Sequence, residues 1–418
     1  MQAIILAAGK SSRLWPLNDS HKSLLRIMGK PIISYAVDGL LSAGIKDIII
    51  VEDEKKQISE ELKKYSRYKN IKYAVQNQAL GMGDALLMVK DLLDDQFLVI
   101  SPERIDCEEI VKQILVKAKE KKTKTILAAS KTGSPSLFGI MKLEGDKILG
   151  IVEKPKAGEE PSSIKVVGVY LLEKKLFNCF KNVKKHQYDF EKVLSLYMQK
   201  NETRMMLLDK EGPSLKYPWQ LFDLQAYLFE KYLKTETGSL AKIGKNVNIQ
   251  GKVFIGKNVK IFENAVIKGP VYIGDNVIIG NGSIIRDNAD IENNSLIGAL
   301  AEVARSNFQE NVHIHSGYFG DSVFGKNCKV GAGTVTANIR VDRGEIFSVV
   351  NGSKENTKKK SLGCFVGENT KIGVNCSLMP GILIGSNCLI GPKTLVSENI
   401  ENNTKYYAAF EKIVKKNN

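Results

Sequence analysis

Four stretches of this chain carry residue types that can do chemistry. Histidine is scarce, with four among 418 residues: His21, His186, His313 and His315. Two of them fall together in Asn311-Val312-His313-Ile314-His315-Ser316-Gly317-Tyr318. An i, i+2 spacing in extended chain puts both imidazoles on one side. A histidine titrates near neutrality, so either ring can take a proton from a nucleophile. Spacing does not choose between them, and a pair of polar residues on an outer strand face is the structural alternative. The second stretch is Gly9-Lys10-Ser11-Ser12-Arg13, directly after an apolar run from Gln2 to Ala8. A strand followed by a Gly/Ser turn with two cations offers backbone N–H groups and positive charge to a phosphate. Its spacing matches neither the dinucleotide nor the Walker pattern. The third stretch, Ile148 to Pro155, holds Glu153 and Lys154 and pairs with Phe138-Gly139-Ile140 as a hairpin lining a pocket. The fourth is a long excursion, 341–363, with Lys354, Lys358, Lys359 and Lys360. It suits a phosphate or a coenzyme pyrophosphate, and a solvated charged loop equally well.

Two kinds of periodicity must position these groups. From residue 1 to about 234 the pattern alternates strands and helices. Helices are predicted over 32–43, 54–65, 84–92, 171–180, 190–200 and onward to 234. Strands are predicted over 2–8, 47–51, 71–75, 97–100 and around 168–170. That alternation reads as a Rossmann-like α/β domain with a mainly parallel sheet. A polar connector, 235–242, follows. From Ile243 an aliphatic residue then recurs at every sixth position: Ile243, Ile249, Ile255, Ile261, Ile267, and so on to Val303. A second frame runs Val312, Tyr318, Phe324, Val330, Thr336, and a third runs Val366 to Val396. A period of six fits neither helix nor simple strand. Three hexads make one triangular coil of a parallel β-helix, with the aliphatic residue inside and Gly or Asn at the corners. The slip of phase before Val312 predicts a loop or an extra corner near 306–310. The prism is expected over 243–400, and 401–418 reads as a helical tail.

Composition narrows the function classes. Hydrophobic content of 43% and charged content of 26% describe an ordinary globular chain of two domains. No stretch of 18 apolar residues and no cleavable leader is visible, so the expectation is a cytoplasmic protein with no membrane partner. The six cysteines form no CxxC pair, which predicts neither disulfides nor zinc. A net charge of +15 raises nucleic acid as a partner. No helix-turn-helix, zinc or aromatic-basic pattern accompanies it, and small phosphorylated ligands account for it better.

Residues 1–230 resemble the sugar-1-phosphate nucleotidylyltransferases. The matching pieces are LAAGKSSRLWPL, the Lys22 segment, GMGDAL, GIVEKP and YPWQLFD. The resemblance implies that Gly9, Lys10, Ser11, Ser12 and Arg13 hold a triphosphate and that Lys22 lies near the transferred phosphoryl group. It implies that Gln76 and Gly81 meet the base, and Glu153 and Lys154 the sugar phosphate. Residues 240–400 resemble the left-handed β-helix acyltransferases through HSGYFGDSVFG, VGAGTVTANIR and NTKKKSLGCFVGENTKIGVNCSLMPGILIG. They are most similar to the acetyltransferase half of archaeal bifunctional sugar-phosphate enzymes. This implies an α/β nucleotidyltransferase domain followed by a left-handed parallel β-helix. It further implies acetyl-CoA as cosubstrate, His315 as base, Tyr318 on the sugar phosphate and Asn338 orienting the amino sugar. A homotrimer, or its doubling to a hexamer, is the implied assembly, with small molecules as its other partners.

The chain departs from the first family where Mg²⁺ is held. Ser101-Pro102 stands where a Gly-Asp pair is usual, Ser214 at the second aspartate, Val166 at an asparagine and Met82 at a threonine. Mg²⁺ demands hard oxygen ligands in near-octahedral geometry, so no metal ligand is assigned and Mg²⁺ is expected only if that half is active. Glu103, Asp106 and Asp209 are the acids that would have to substitute. In the second half Arg340 and Arg343 replace phosphate-binding lysines, and a guanidinium fork is not equivalent to an ammonium. The expectation is an amino-sugar-1-phosphate N-acetyltransferase with a weak or silent nucleotidylyltransferase domain. A fully bifunctional enzyme and a non-catalytic sensor of sugar nucleotides are the alternatives.

Overall fold

The computed structural model describes residues 1–183 and 189–414, so His186 lies outside the described residues. The chain forms two compact units: Met1–Lys10 with Pro31–Ser214, and Ser11–Lys30 with Leu215–Asn418.

The first unit is built on a nine-stranded sheet. Strands Lys72–Gln76, Asp47–Asp53, Gln2–Ala7 and Gln96–Ile100 lie side by side and parallel. Their central residues, among them Ile4, Ile49 and Val99, are wholly buried, as expected of parallel strands covered on both faces. Ile164–Glu173 then inserts antiparallel between Gln96–Ile100 and Ile126–Lys131. The expected helix over 171–180 is therefore a strand end followed by the 3₁₀ segment Lys174–Asn182. The β-branched run Val166-Val167 and Val169 favours the extended form. Helix Cys107–Lys121 was not anticipated. Its buried Cys107, Ile110, Val111 and Ile114 follow helical spacing, a signal visible among the lysines but unread. Gly39 of helix Ile32–Ser42 lets the two helices approach, since a Cβ there would stand 2.9 Å from the Glu108 amide.

The second unit is a left-handed parallel β-helix of three sheets with eight, nine and eight strands. Register follows the hexads: Ile255 pairs with Ile273, Ile261 with Ile279 and Ile267 with Ile285, all buried. Asparagines at the corners adopt left-handed backbone, φ 54 at Asn258, 59 at Asn276 and 61 at Asn294. Asparagine tolerates that conformation better than most residues. Their amides form a ladder up the edge, Asn258 to Asn276 at 3.0 Å and Asn276 to Asn294 at 3.1 Å. Cys328, Cys364, Cys376 and Cys388 are buried fillers without disulfides. No helix among the described residues is long and apolar enough to cross a membrane.

Five expectations need correction. The phase slip before Val312 is not a loop. Val303 is followed inward by Phe308, Ile314, Phe319 and Phe324, so three sides of the prism simply shorten to five residues. The rings of Phe308, Phe319 and Phe324 pack edge to face and fill the interior there. Tyr318 is consequently not an inward residue. It stands half-exposed on the outer face, between Glu302 and Val335 of the adjoining coils. The expected linker is already prism, because Glu236–Thr237 pairs with Phe254 and Ile255. The expected helical tail is strand Lys405–Tyr406 and then neither helix nor strand to residue 414. Residues 415–418 lie outside the described residues. Phe410, Ile413 and Val414 are exposed, and a segment this short gains no stable helix without a packed face.

The last correction concerns Ser11–Lys30, expected in the α/β domain but clustered with the prism. Gln309 accepts from the Arg26 amide at 2.9 Å and donates to the Arg26 carbonyl at 3.0 Å. The Met28 and Gly29 amides donate to Asp290 at 3.0 Å and Glu292 at 2.9 Å. The segment thus meets its backbone requirements on the prism, which is why it belongs there.

Candidate functional site

On the prism, His315 sits at the corner between strands His313–Ile314 and Gly317–Gly320. Both His313 and His315 are exposed, and neither side chain has a hydrogen-bond partner among the described residues. Tyr318 lies on the next side of the same coil. One coil further, just past strand Thr334–Thr336, the Asn338 amide donates to the Tyr318 hydroxyl at 3.1 Å. Two of the residues singled out, Tyr318 and Asn338, are therefore in direct contact.

Three neighbours were missed by sequence reasoning. Asp321 is buried and accepts from the Asn338 amide at 2.6 Å and from the Ser361 hydroxyl at 2.8 Å. Arg305 grips Asp321 with both arms, at 2.8 and 3.0 Å. That bond raises the guanidinium above its already high ordinary range. The excursion explains Ser361. It leaves the prism after Asn338 and returns beside it, with the Leu362 amide on the Asn338 carbonyl at 2.8 Å and the Gly363 amide on the Asp321 carbonyl at 2.8 Å. Its outer part is a hairpin of Phe347–Val350 and Ser353–Asn356. The two ends of the excursion were the readable signal for Asn338 and Ser361. Arg340 is engaged by Asp342 at 2.8 Å, whereas Arg343 stands exposed with φ 57.

In the second unit, Ser11 takes φ 50 and precedes the 3₁₀ turn Ser12–Leu14. Arg13 leans on the Tyr217 ring at 5.9 Å, and Tyr217 stacks on Trp219. Lys22 opens the 3₁₀ turn Lys22–Leu24, whose start is capped by His21 accepting from the Ser23 amide at 3.3 Å. His21 is thus structural. Gly9 and Lys10 belong to the first unit, so the predicted phosphate run is divided between the two.

In the first unit, Gln76 ends its strand buried and donates to Asp84 at 3.0 Å and to the Gly81 carbonyl at 3.4 Å. Gly81, at φ 109, caps helix Met82–Val89. Lys154 follows strand Lys147–Glu153 with φ 47 and donates its amide to Phe138 at 3.0 Å. Glu153, Glu191 and Ser195 help line a cavity of about 650 Å³. Burial, then the charges of Glu153 and Asp189, push the Glu191 carboxyl up. A cavity with carboxyls suits a ligand rich in hydroxyls.

Two acids at the carboxyl end of the sheet, Asp106 and Glu211, are already engaged. Ser101 donates its amide to the Gly168 carbonyl at 3.0 Å, and its hydroxyl fills the space a Cβ on Gly168 would need. Asp106 pairs with the buried Arg104 and accepts the Gly212 amide at 2.8 Å. Glu211 takes Arg104 at 3.1 Å, Lys165 at 2.8 Å and Ser130 at 2.5 Å. Burial raises the Glu211 carboxyl, but the Lys165 and Ser130 hydrogen bonds and the Lys165 and Arg104 charges outweigh it and hold it below the usual range. Asp209 is exposed on the loop after strand Arg204–Leu207.

With this geometry in hand, comparison with known proteins defines the class. Residues 2–219 match the nucleotidyl transferase family, and 252–287, 270–305 and 363–398 match the bacterial transferase hexapeptide repeats. Over its whole length the chain is 36% identical to the bifunctional protein GlmU of Methanococcus maripaludis strain C7, covering 99% of it. It is 32% identical to the bifunctional protein GlmU of Methanocaldococcus jannaschii, with all of both chains covered. A bifunctional sugar-1-phosphate nucleotidylyltransferase/acetyltransferase of Sulfurisphaera tokodaii is 29% identical over 91% of this chain and 94% of its own. The chain belongs to the GlmU-type family of bifunctional transferases.

Proposed function

We propose that the prism transfers an acetyl group from acetyl-CoA to the amine of an amino-sugar 1-phosphate, with glucosamine 1-phosphate as the first choice, on the route to UDP-N-acetylglucosamine. The observation that carries this reading is the Tyr318–Asn338 hydrogen bond, with Tyr318 on the coil of an exposed His315. In the reaction the amine attacks the thioester carbon and a C–N bond forms. His315 removes the amine proton as the tetrahedral intermediate forms, a backbone N–H holds its oxyanion, and the C–S bond breaks to release coenzyme A, which regains the proton. Tyr318 contacts the sugar phosphate and Asn338 orients the amine. Arg343 is the better phosphate contact of the two arginines, because Asp342 engages Arg340. A homotrimer through the prism, or its doubling to a hexamer, completes the account, with acetyl-CoA in a groove between adjacent subunits.

For the α/β half the reading is ligand binding with weak or no nucleotidyl transfer. Gly9, Lys10, Ser11, Ser12, Arg13 and Lys22 contact phosphates, Gln76 and Gly81 the base, and Glu153 and Lys154 the sugar phosphate. In relatives that use it, Mg²⁺ neutralises the charge that develops in phosphoryl transfer. The residues here do not fit that ion: Ser101 stands at one position, Ser214 at the other, and Asp106 and Glu211 are committed to Arg104 and Lys165. No step through a metal is therefore drawn. Full bifunctionality is the second reading, favoured by full-length similarity to bifunctional relatives. Thiol release from acetyl-CoA with glucosamine 1-phosphate tests the main reading. Release that persists unchanged in His315→Ala contradicts the base assignment, and no release with any amino-sugar 1-phosphate removes the activity.

A further inference from the structure

We infer that Asp321 is a positioning residue that fixes which end of the Asn338 carboxamide meets the substrate. The inference rests on the acetyl-transfer reading of this same edge of the prism. A carboxamide has a donor end and an acceptor end of nearly equal size, and its orientation is set by its neighbours. Here the neighbours leave no choice. Asp321 lies 2.6 Å from one end, and only the NH₂ group can face a carboxylate at that distance. The second N–H of the same nitrogen is shared between the Tyr318 hydroxyl at 3.1 Å and, more weakly, the Ser361 hydroxyl at 3.3 Å. Ser361 spends its own proton on Asp321 at 2.8 Å, so it turns a lone pair toward Asn338. Arg305 holds Asp321 from the other side through two bonds, 2.8 and 3.0 Å, which fixes the buried carboxylate in place.

The consequence is chemical. With its NH₂ group consumed inside, Asn338 has its carbonyl oxygen left for the substrate. A neutral amine about to attack has N–H to give and a lone pair to keep for the thioester carbon. An acceptor binds its N–H and aims the lone pair, whereas a donor would bind the lone pair and quench the nucleophile. Tyr318, having accepted from Asn338, keeps its own proton to donate outward. Asp321 touches no substrate in this scheme and acts only through Asn338.

The test uses the full chain with acetyl-CoA and glucosamine 1-phosphate. Asp321→Asn removes the rule that orients Asn338, because an amide at 321 can face either end. The expected result is a fall of about tenfold to a hundredfold in kcat/KM for the amino sugar with an unchanged KM for acetyl-CoA. The exchange Asp321→Asn with Asn338→Asp restores the pattern in reverse: the new amide donates inward and the new carboxylate accepts outward. Its kcat/KM should exceed that of Asp321→Asn, while Asn338→Asp alone, with two carboxylates face to face, should be the slowest. Wild-type kinetics in Asp321→Asn overturn the inference. So does a folded exchange variant no faster than the single one, which would mean a purely structural role. If Asp321→Asn does not fold, the exchange carries the test, since it keeps a carboxylate in the cluster of Arg305; activity within tenfold of the wild type supports the inference and its loss overturns it. Absence of acetyl transfer in the wild type brings down the parent reading, a result distinct from all of these.

Discussion

At the edge of the prism, Asp321, Asn338, Ser361 and Arg305 satisfy one another inward, while His315 is exposed with no hydrogen-bond partner among the described residues. At the carboxyl end of the nine-stranded sheet, Arg104, Asp106, Lys165 and Glu211 also satisfy one another. Both clusters are dense in charge and hydrogen bonds. The difference lies in what remains once the internal bonds are made. In the prism, on the reading proposed above, His315 and the Asn338 carbonyl oxygen remain for a ligand. In the sheet the four residues use one another, and on the same reading Ser101 and Ser214 offer only hydroxyls where Mg²⁺ would want hard, charged oxygens.

Three changes would break or sharpen this contrast. The largest effect is expected at His315. Its replacement by alanine should lower kcat for acetyl transfer about 10²- to 10⁴-fold, the usual span of general-base catalysis. His313→Ala should leave the rate within a few-fold, and comparing the two by thiol release resolves what spacing could not. Next comes Arg104→Met. It strands the buried Asp106 and the half-buried Glu211, and should cost about 3–5 kcal/mol in urea unfolding without touching acetyl transfer in the protein that remains folded. A loss under about 1 kcal/mol would show that the network is not the closed structure described.

The smallest effect concerns pH. Asp290 and Glu292 are fully buried, and each uses one oxygen on a backbone amide, from Met28 and Gly29. Their second oxygens are buried with no hydrogen-bond partner among the described residues, which favours the neutral carboxyl. Burial first, then the charge of Glu292, raises the Asp290 carboxyl. Burial likewise raises Glu292 to about 7, with Glu310 adding to it and the Gly29 amide, Arg26 and Asp290 opposing. Lys326, 3.6 Å from Glu310, is the other charge near this cluster. A carboxyl raised on folding contributes stability that is complete below its unfolded pKa and is lost as pH rises through the folded value. Unfolding free energy should therefore fall by on the order of 1–3 kcal/mol between about pH 5 and pH 8 from this pair. Asp290→Asn with Glu292→Gln should flatten that slope, measured by urea titration at both pH values. An unchanged slope would mean that the pair does not titrate in this window.

The hexad positions made the prism legible from sequence, because few folds other than a three-sided coil repeat every six residues, and the inner residues stack as expected. Where aromatic residues replaced aliphatic ones the same reading failed. Phe308, Phe319 and Phe324 fill more space, the sides shorten, and Tyr318 turns outward. That failure concealed the half-exposed ring to which the proposed chemistry assigns the sugar phosphate. Asp321, Ser361 and Arg305 were unread because their meaning comes from neighbours 16 to 40 residues away. Coil stacking and the returning loop bring such residues together, and no local pattern records it. The attachment of Ser11–Lys30 was hidden for the same reason. Its partners Asp290, Glu292, Asn307 and Gln309 look in sequence like ordinary polar positions of the repeat, and only their burial distinguishes them.

The contrast between the two clusters is most directly tested by measuring both reactions on one preparation: coenzyme A release with glucosamine 1-phosphate, and pyrophosphate release from UTP with N-acetylglucosamine 1-phosphate and Mg²⁺. The account predicts acetyl transfer that depends on His315, beside pyrophosphate release near background. Pyrophosphate release at a rate comparable to acetyl transfer, abolished by removing Mg²⁺, would contradict it.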